Sequence, residues 1–191
     1  PADIEITPCT NRFISKGFFP RLYDILKARR RQGDVNHVTG DVHFLTYLLK
    51  KRRTILTIHD CVTLERLKGI KRFVFWFLWY WLPEKRCSVI TVVSESTRKQ
   101  VLGHLGCDSN KVKVVYNNVS EEFKPCPKAF NPEKPRILQV GTGANKNLER
   151  VTEALSGISC NLVIIGNLSD QQINTLHQHQ ISYENYTGLT R

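Results

Sequence analysis

Two short runs hold the residues best suited to chemistry. The first is Ile137-Leu-Gln-Val-Gly141-Thr142-Gly143-Ala-Asn-Lys146-Asn147-Leu148. It reads as a strand, a glycine-containing turn and a helix start. Glycine lets a backbone approach a ligand with no Cβ in the way. A helix N-terminus offers unpaired N–H groups and the positive end of its dipole, and Lys146 adds a cation. Together these suit a phosphate or diphosphate. The spacing is not G-x-G-x-x-G, since no third glycine follows. The plainer reading is an ordinary strand-to-helix turn with a surface lysine. The second run is Thr54-Ile-Leu-Thr-Ile-His59-Asp60. Its His-Asp pair directly follows an apolar strand, and ligands of open α/β sheets collect at strand C-terminal ends. His59 could hydrogen-bond a sugar hydroxyl or move a proton. Alternatively, His59 satisfies a neighbouring carbonyl and Asp60 caps the next helix.

Two further features invite a partner. Residues 73–82, Phe-Val-Phe-Trp-Phe-Leu-Trp-Tyr-Trp-Leu, are flanked by Lys68, Lys71, Arg72, Lys85 and Arg86. The run is too short to span a bilayer. It is expected as a buried helix, apolar all round, with part of it exposed. The other reading is an interfacial segment, because Trp and Tyr favour headgroup depth and basic flanks favour anionic lipid. Basic clusters at Lys27/Arg29-Arg30-Arg31 and Lys50-Lys51-Arg52-Arg53 are each expected at a helix end, where cations complement the dipole. They fit a solvated surface or an anionic partner. No recognised nucleic-acid module accompanies them, so nucleic acid is not expected. Cys9, Cys61, Cys87, Cys107, Cys126 and Cys160 form no C-x-x-C and have no His at finger spacing. A metal site is therefore not expected, and the thiols read as reduced.

The elements that must position these residues follow from hydrophobic patterning. Apolar, β-branched runs at 35–39, 54–58, 89–93, 112–116, 136–140 and 161–165 read as strands buried on both faces, as in a parallel sheet. Helical patterns lie between them. Leu148, Val151, Leu155 and Ile158 make one stripe. Ser94 is placed to cap a helix, Glu95 and Lys99 are spaced as an i,i+4 pair, and Gly106 fits its stop. Strand–helix alternation predicts an α/β fold with parallel sheets.

Across the 191 residues, 41% are hydrophobic and 24% charged, an ordinary globular balance that excludes a disordered or collagen-like chain. The net charge is +11, and residues 1–120 carry all of it, with 21 Lys/Arg against 10 Asp/Glu. Residues 121–191 balance at 7 against 7. Pro125, Pro127, Pro132 and Pro135 cannot sit inside a helix or a central strand. The expected organisation is a first α/β domain at 1–120, a linker at 121–135 and the first part of a second domain at 136–191. The chain opens Pro1-Ala2-Asp3, which is no signal peptide, and contains no Met. With only two clear strands after the linker, it is expected to be a piece of something longer, both domains incomplete.

The order of segments resembles a known family. His59-Asp60 ends a strand; then come Val89-Ile-Thr-Val-Val-Ser94-Glu-Ser-Thr97, Val112-Lys-Val-Val-Tyr-Asn117-Asn118-Val with Phe123, and the Gly141–Leu148 turn. Over residues 35–190 this resembles the retaining glycosyltransferases of the group 1/family 4 type. The resemblance implies a GT-B fold of two Rossmann-like domains, the first facing the acceptor and the second holding a nucleotide-sugar. It implies transfer of a hexose from a nucleoside diphosphate sugar to a glycan or lipid-linked acceptor, with retention and without a metal or other cofactor. Cationic side chains and helix N-termini would stabilise the leaving diphosphate. Lys146 matches the family's donor lysine and Gly141 its turn, with Thr142 and Asn147 beside them in the donor site. His59 matches a histidine that reaches the transferred sugar, the expected catalytic contact. Where many members carry an Arg after the turn glycine, this chain has Thr142. The family's N-terminal Gly-rich loop and its paired Glu would lie outside residues 1–191, so the parent is expected to be the enzyme and this stretch alone inactive. The expected location is cytoplasmic, either free or peripheral on the inner face of an anionic membrane. The competing expectation is a non-catalytic membrane-surface or scaffold module on a degenerate form of this fold.

Overall fold

The structure, a computed structural model, describes residues 3–13 and 17–188. Pro1, Ala2 and the last residues of the stretch 35–190 lie outside the described residues. The chain divides into two compact units, Pro1–Ser120 and Glu121–Arg191.

In the first unit α1 (Phe18–Arg30) precedes β1 (Asn36–Val38), and β2 (Thr54–Ile58) follows two short 3₁₀ turns. Then come α2 (Val62–Arg66), α3 (Gly69–Trp76), a π-turn at Phe77–Trp81 and α4 (Leu82–Lys85). β3 (Val89–Val92), α5 (Glu95–Leu105) and β4 (Val112–Val114) complete it. The four strands are parallel and lie in the order β1-β2-β3-β4. Connections of one hand that step in one direction land on one face of the sheet. Accordingly Val38, Leu56, Ile58, Ile90, Val92 and Val112 form a core with residues of α1, α2, α5 and the π-turn. The opposite face carries His37, Thr57 and Thr91, joined by side-chain hydrogen bonds of 2.7 Å each.

The second unit is a parallel sheet in the order β5 (Arg136–Val140), β6 (Asn161–Ile165), β7 (Tyr183–Tyr186). α6 (Leu148–Ala154) and α7 (Asp170–Gln178) again share one core, in which Leu148 and Leu176 pack on Leu162 and Ile164. On the other face Leu138 and Val140 remain 62% and 56% exposed. The expectation of strands buried on both faces holds for β2, where Thr54, Leu56, Thr57 and Ile58 are buried, whereas β3, β5 and β6 alternate, because the helices packed on each core lie on one face of its sheet.

Local signals behaved unevenly. Ser94 accepts the Thr97 N–H at 3.1 Å and Gly106 ends α5 in the left-handed region, φ 56°. Glu95, however, pairs with Arg98 at 3.9 Å, one position short of Lys99, because Arg98 is also drawn to the Val112 and Ser109 carbonyls. Three strands are shorter than read: β1, β3 and β4 stop at Val38, Val92 and Val114. α6 ends at Ala154, so Ile158 leaves the apolar stripe and is exposed. The Lys50–Arg53 cluster lies in a 3₁₀ turn and its threshold, not at an α-helix end, whereas Lys27, Arg29 and Arg30 do occupy the last turn of α1. Residues 121–134 are exposed and carry neither helix nor strand. All six cysteines are free thiols. Among the described residues no helix is long and apolar enough to cross a membrane.

Candidate functional site

Each unit presents a cluster at the C-terminal ends of its strands. In the first unit β2 delivers His59 and Asp60 to the surface, both exposed. The Asp60 carboxylate accepts the Val62 N–H at 3.0 Å, fixing the turn into α2. Among the described residues no hydrogen bond reaches the His59 ring, which leaves both nitrogens for a ligand. A cavity of about 150 Å³ lies beside it, lined by Gly40, Asp41, His43, Asp60 and Tyr80. Gly40 and Asp41 come from the turn after β1, so the cavity sits across two adjacent strand ends, where open α/β sheets bind.

Two buried side chains stiffen its floor. His43 Nδ1 donates to the Trp79 carbonyl at 2.6 Å, and the Tyr80 hydroxyl donates to the Asp60 carbonyl at 3.1 Å. Burial lowers the His43 pKa below its ordinary 6.5, outweighing the Trp79 carbonyl and the Asp41 and Asp60 carboxylates that act the other way. Burial likewise raises the Tyr80 phenol, so it remains a donor. Both contacts depend on the π-turn, which directs Trp79 and Tyr80 into the core and frees local backbone carbonyls. Sequence reading missed Asp41, His43 and Tyr80. Thr39-Gly40-Asp41 directly after an apolar run was the available signal for the first; the π-turn left none.

In the second unit β5 runs directly into Gly141, whose φ of 87° lies in the left-handed region. A Cβ there would stand 3.1 Å from Lys146 Cε and 3.2 Å from its Cγ, so the lysine stem folds directly over the glycine. The Lys146 ammonium is exposed and, among the described residues, has no ion-pair partner. Gln139 shapes the turn by donating to the Gly141 and Lys146 carbonyls at 3.3 and 3.1 Å. Asn147 takes the left-handed conformation, φ 54°, that Asn tolerates better than most residues, and its side chain does not cap α6. Thr142 turns its hydroxyl inward, donating to the Asn167 carbonyl at 2.6 Å, while Gln172 donates to the Thr142 carbonyl at 2.8 Å and to Glu149 at 3.1 Å. Gln139 and Gln172 are site-building residues that sequence reading did not single out. Among the described residues no group of three His, Cys, Asp or Glu side chains could hold a metal ion.

The structure thus brings Gly141, Thr142, Lys146 and Asn147 together in one turn and sets His59 at a strand end in the other unit. Among solved structures, the chain resembles Anabaena Alr3699/HepE in complex with UDP and glucose, with a TM-score of 0.61 and 10% identity over 90% of this chain and 52% of that one. It also resembles the same protein with UDP-glucose, with a TM-score of 0.59 and 10% identity over 87% and 51%. The chain therefore spans about half the length of these structures, and the likeness establishes a GT-B-like α/β fold with parallel sheets. No curated protein matches the sequence. The family model described as Glycosyltransferase Family 4 matches residues 4–123, starting well ahead of residue 35, where the motif resemblance begins. That match spans more than half of the chain and nearly all of its first unit: the chain belongs to Glycosyltransferase Family 4.

Proposed function

We propose that this chain forms part of a glycosyltransferase that moves a hexose from a nucleoside diphosphate sugar to a glycan or lipid-linked acceptor, with retention of configuration, on the cytoplasmic side. Family membership supports sugar transfer. The UDP, glucose and UDP-glucose bound by Anabaena HepE support a nucleotide-sugar donor. The observation that carries the reading is the Gly141 turn with Lys146 laid across it and its ammonium exposed. In this reading the ammonium meets the donor diphosphate and neutralises charge that grows as the sugar leaves. Gly141, Thr142 and Asn147 give the turn its shape. His59, at the other unit's strand end, hydrogen-bonds a hydroxyl of the transferred sugar. The chemistry asks for no resident cofactor, since preorganised cations and N–H donors can stabilise the leaving group.

The test is Lys146→Ala in the whole protein that carries this chain. Losing one preorganised charge contact of this kind costs on the order of 10²–10³ in turnover. A drop of that size in kcat/KM, with unchanged thermal stability, is expected. Near-wild-type kinetics would remove Lys146 from the site. The anomeric configuration of the product, read by NMR, tests retention separately.

A further inference from the structure

α3 is the only helix of eight or more residues, among those described, with no buried residue. Its far side is anchored: the Trp76 indole donates to the His104 carbonyl at 2.9 Å and Arg72 Nε to the Leu64 carbonyl at 3.3 Å. That pairing turns the near side outward. Ile70, Phe73, Val74 and Phe77 recur at i, i+3, i+4 and i+7 and are 73%, 57%, 47% and 37% exposed. The stripe continues onto Trp81, which stacks on Phe77 at 5.0 Å and lies under the Lys85 ammonium. From Arg66 to Pro83 the chain contains no Asp or Glu, while Lys68 and Lys71 flank Ile70 in the chain and Lys85 lies over Trp81.

Four adjacent large apolar side chains held in water by a fixed helix need a cover. The sign of the surrounding charge says what kind. The second unit also exposes Leu138 and Val140, but its residues are charge-balanced. The α3 stripe lies in the unit that carries the whole +11. An apolar stripe edged by cations, with Trp and Phe at its margin, matches an anionic bilayer surface: the side chains enter the acyl boundary and the lysines meet the headgroups.

We propose that α3 and the π-turn dock this protein onto an anionic membrane surface through Ile70, Phe73, Val74 and Phe77, with Lys68 and Lys71 on the headgroups. This does not depend on the sugar-transfer reading, since neither Lys146 nor His59 takes part.

The experiment is co-sedimentation of the full chain with sucrose-loaded vesicles of phosphatidylcholine alone or with about a third phosphatidylglycerol, at low and moderate salt. The wild type should pellet with the anionic vesicles and far less with the neutral ones, more weakly at higher salt. Ile70→Ser/Phe73→Ser should lower partitioning about tenfold or more. Lys68→Gln/Lys71→Gln, which touches only solvent-facing charge, should lower it by a similar factor. Unchanged urea midpoints confirm that both variants fold. Three outcomes overturn the proposal. One is no binding to anionic vesicles at low salt. Another is equal binding of the wild type and the apolar-stripe variant, which assigns the contact to the Arg29–Arg31 or Lys50–Arg53 clusters. The third is wild-type pelleting without vesicles that Ile70→Ser/Phe73→Ser abolishes, which makes the stripe a contact between copies.

Discussion

Lys146 and Gly141 depend on each other. The glycine accepts a φ of 87° and leaves the space that the lysine stem fills. Gly141→Ala should therefore cost about 1–2 kcal/mol from the left-handed backbone alone, and more because the new Cβ meets Lys146. The second part should vanish once the lysine is cut back. A double-mutant cycle of Gly141→Ala and Lys146→Ala by urea unfolding should show coupling of at least about 0.5 kcal/mol; strict additivity would mean that the lysine swings away freely. At this scale the sequence displays the unusual residue types of the proposed site: a His-Asp after a strand, a Gly–Lys turn. It was silent where ordinary residues build the site. Gln139, Gln172 and Tyr80 act through hydrogen bonds to carbonyls at 7, 30 and 20 residues' separation, and no local pattern marks those.

Among the elements, the π-turn at Phe77–Trp81 links the core to the His59 strand end. Its extra residue lets Trp79 and Tyr80 both point inward, and Tyr80 then holds the Asp60 carbonyl. Tyr80→Phe keeps the ring and deletes the donor, so a loss of about 1–3 kcal/mol is expected from the orphaned carbonyl. Faster amide exchange at Cys61 and Val62 should accompany it. Unaltered exchange there would show that Asp60 is held by its own side-chain turn alone. Helix periodicity cannot foretell a π-turn within ten consecutive apolar residues, because every register of such a run looks equally buried. The apolar strands were readable as strands, 54–58, 136–140 and 161–165 to the residue. β7 was not: Tyr183-Glu-Asn-Tyr186 is an edge strand whose Glu184 and Asn185 face an ion pair with Arg136 and the β6 loop. Edge strands carry polar residues that hide them from a hydrophobic reading.

Over the whole chain, the charge shift near residue 120 coincides with the division into units, and the displaced histidine lies in the first of them. Among the groups whose pKa is displaced, only His43 has an ordinary value near neutrality, and burial lowers it. Glu84, where burial is outweighed by Lys111 at 2.8 Å and Lys85 at 3.0 Å, is held below its ordinary 4.5. Glu184 is also lowered, first by the Tyr186 hydroxyl, and Cys61 and Cys87 are pushed up by burial to about 11. His43 favours its neutral form when folded, so the unfolded chain binds more protons once the pH falls below about 6.5. Its contribution is complete above that value and shrinks as the pH drops toward the lowered folded value. All three tryptophans, Trp76, Trp79 and Trp81, belong to the first unit, so their fluorescence reports that unit alone. The urea midpoint by tryptophan emission should fall between pH 7.5 and 5.5, while amide protection of β6 in the second unit should hold steady. His43→Gln, which keeps a donor for the Trp79 carbonyl but cannot take a proton, should flatten the pH dependence. A midpoint that falls equally in the variant would move the acid sensitivity to another group, and a parallel loss of β6 protection would show that the two units unfold as one.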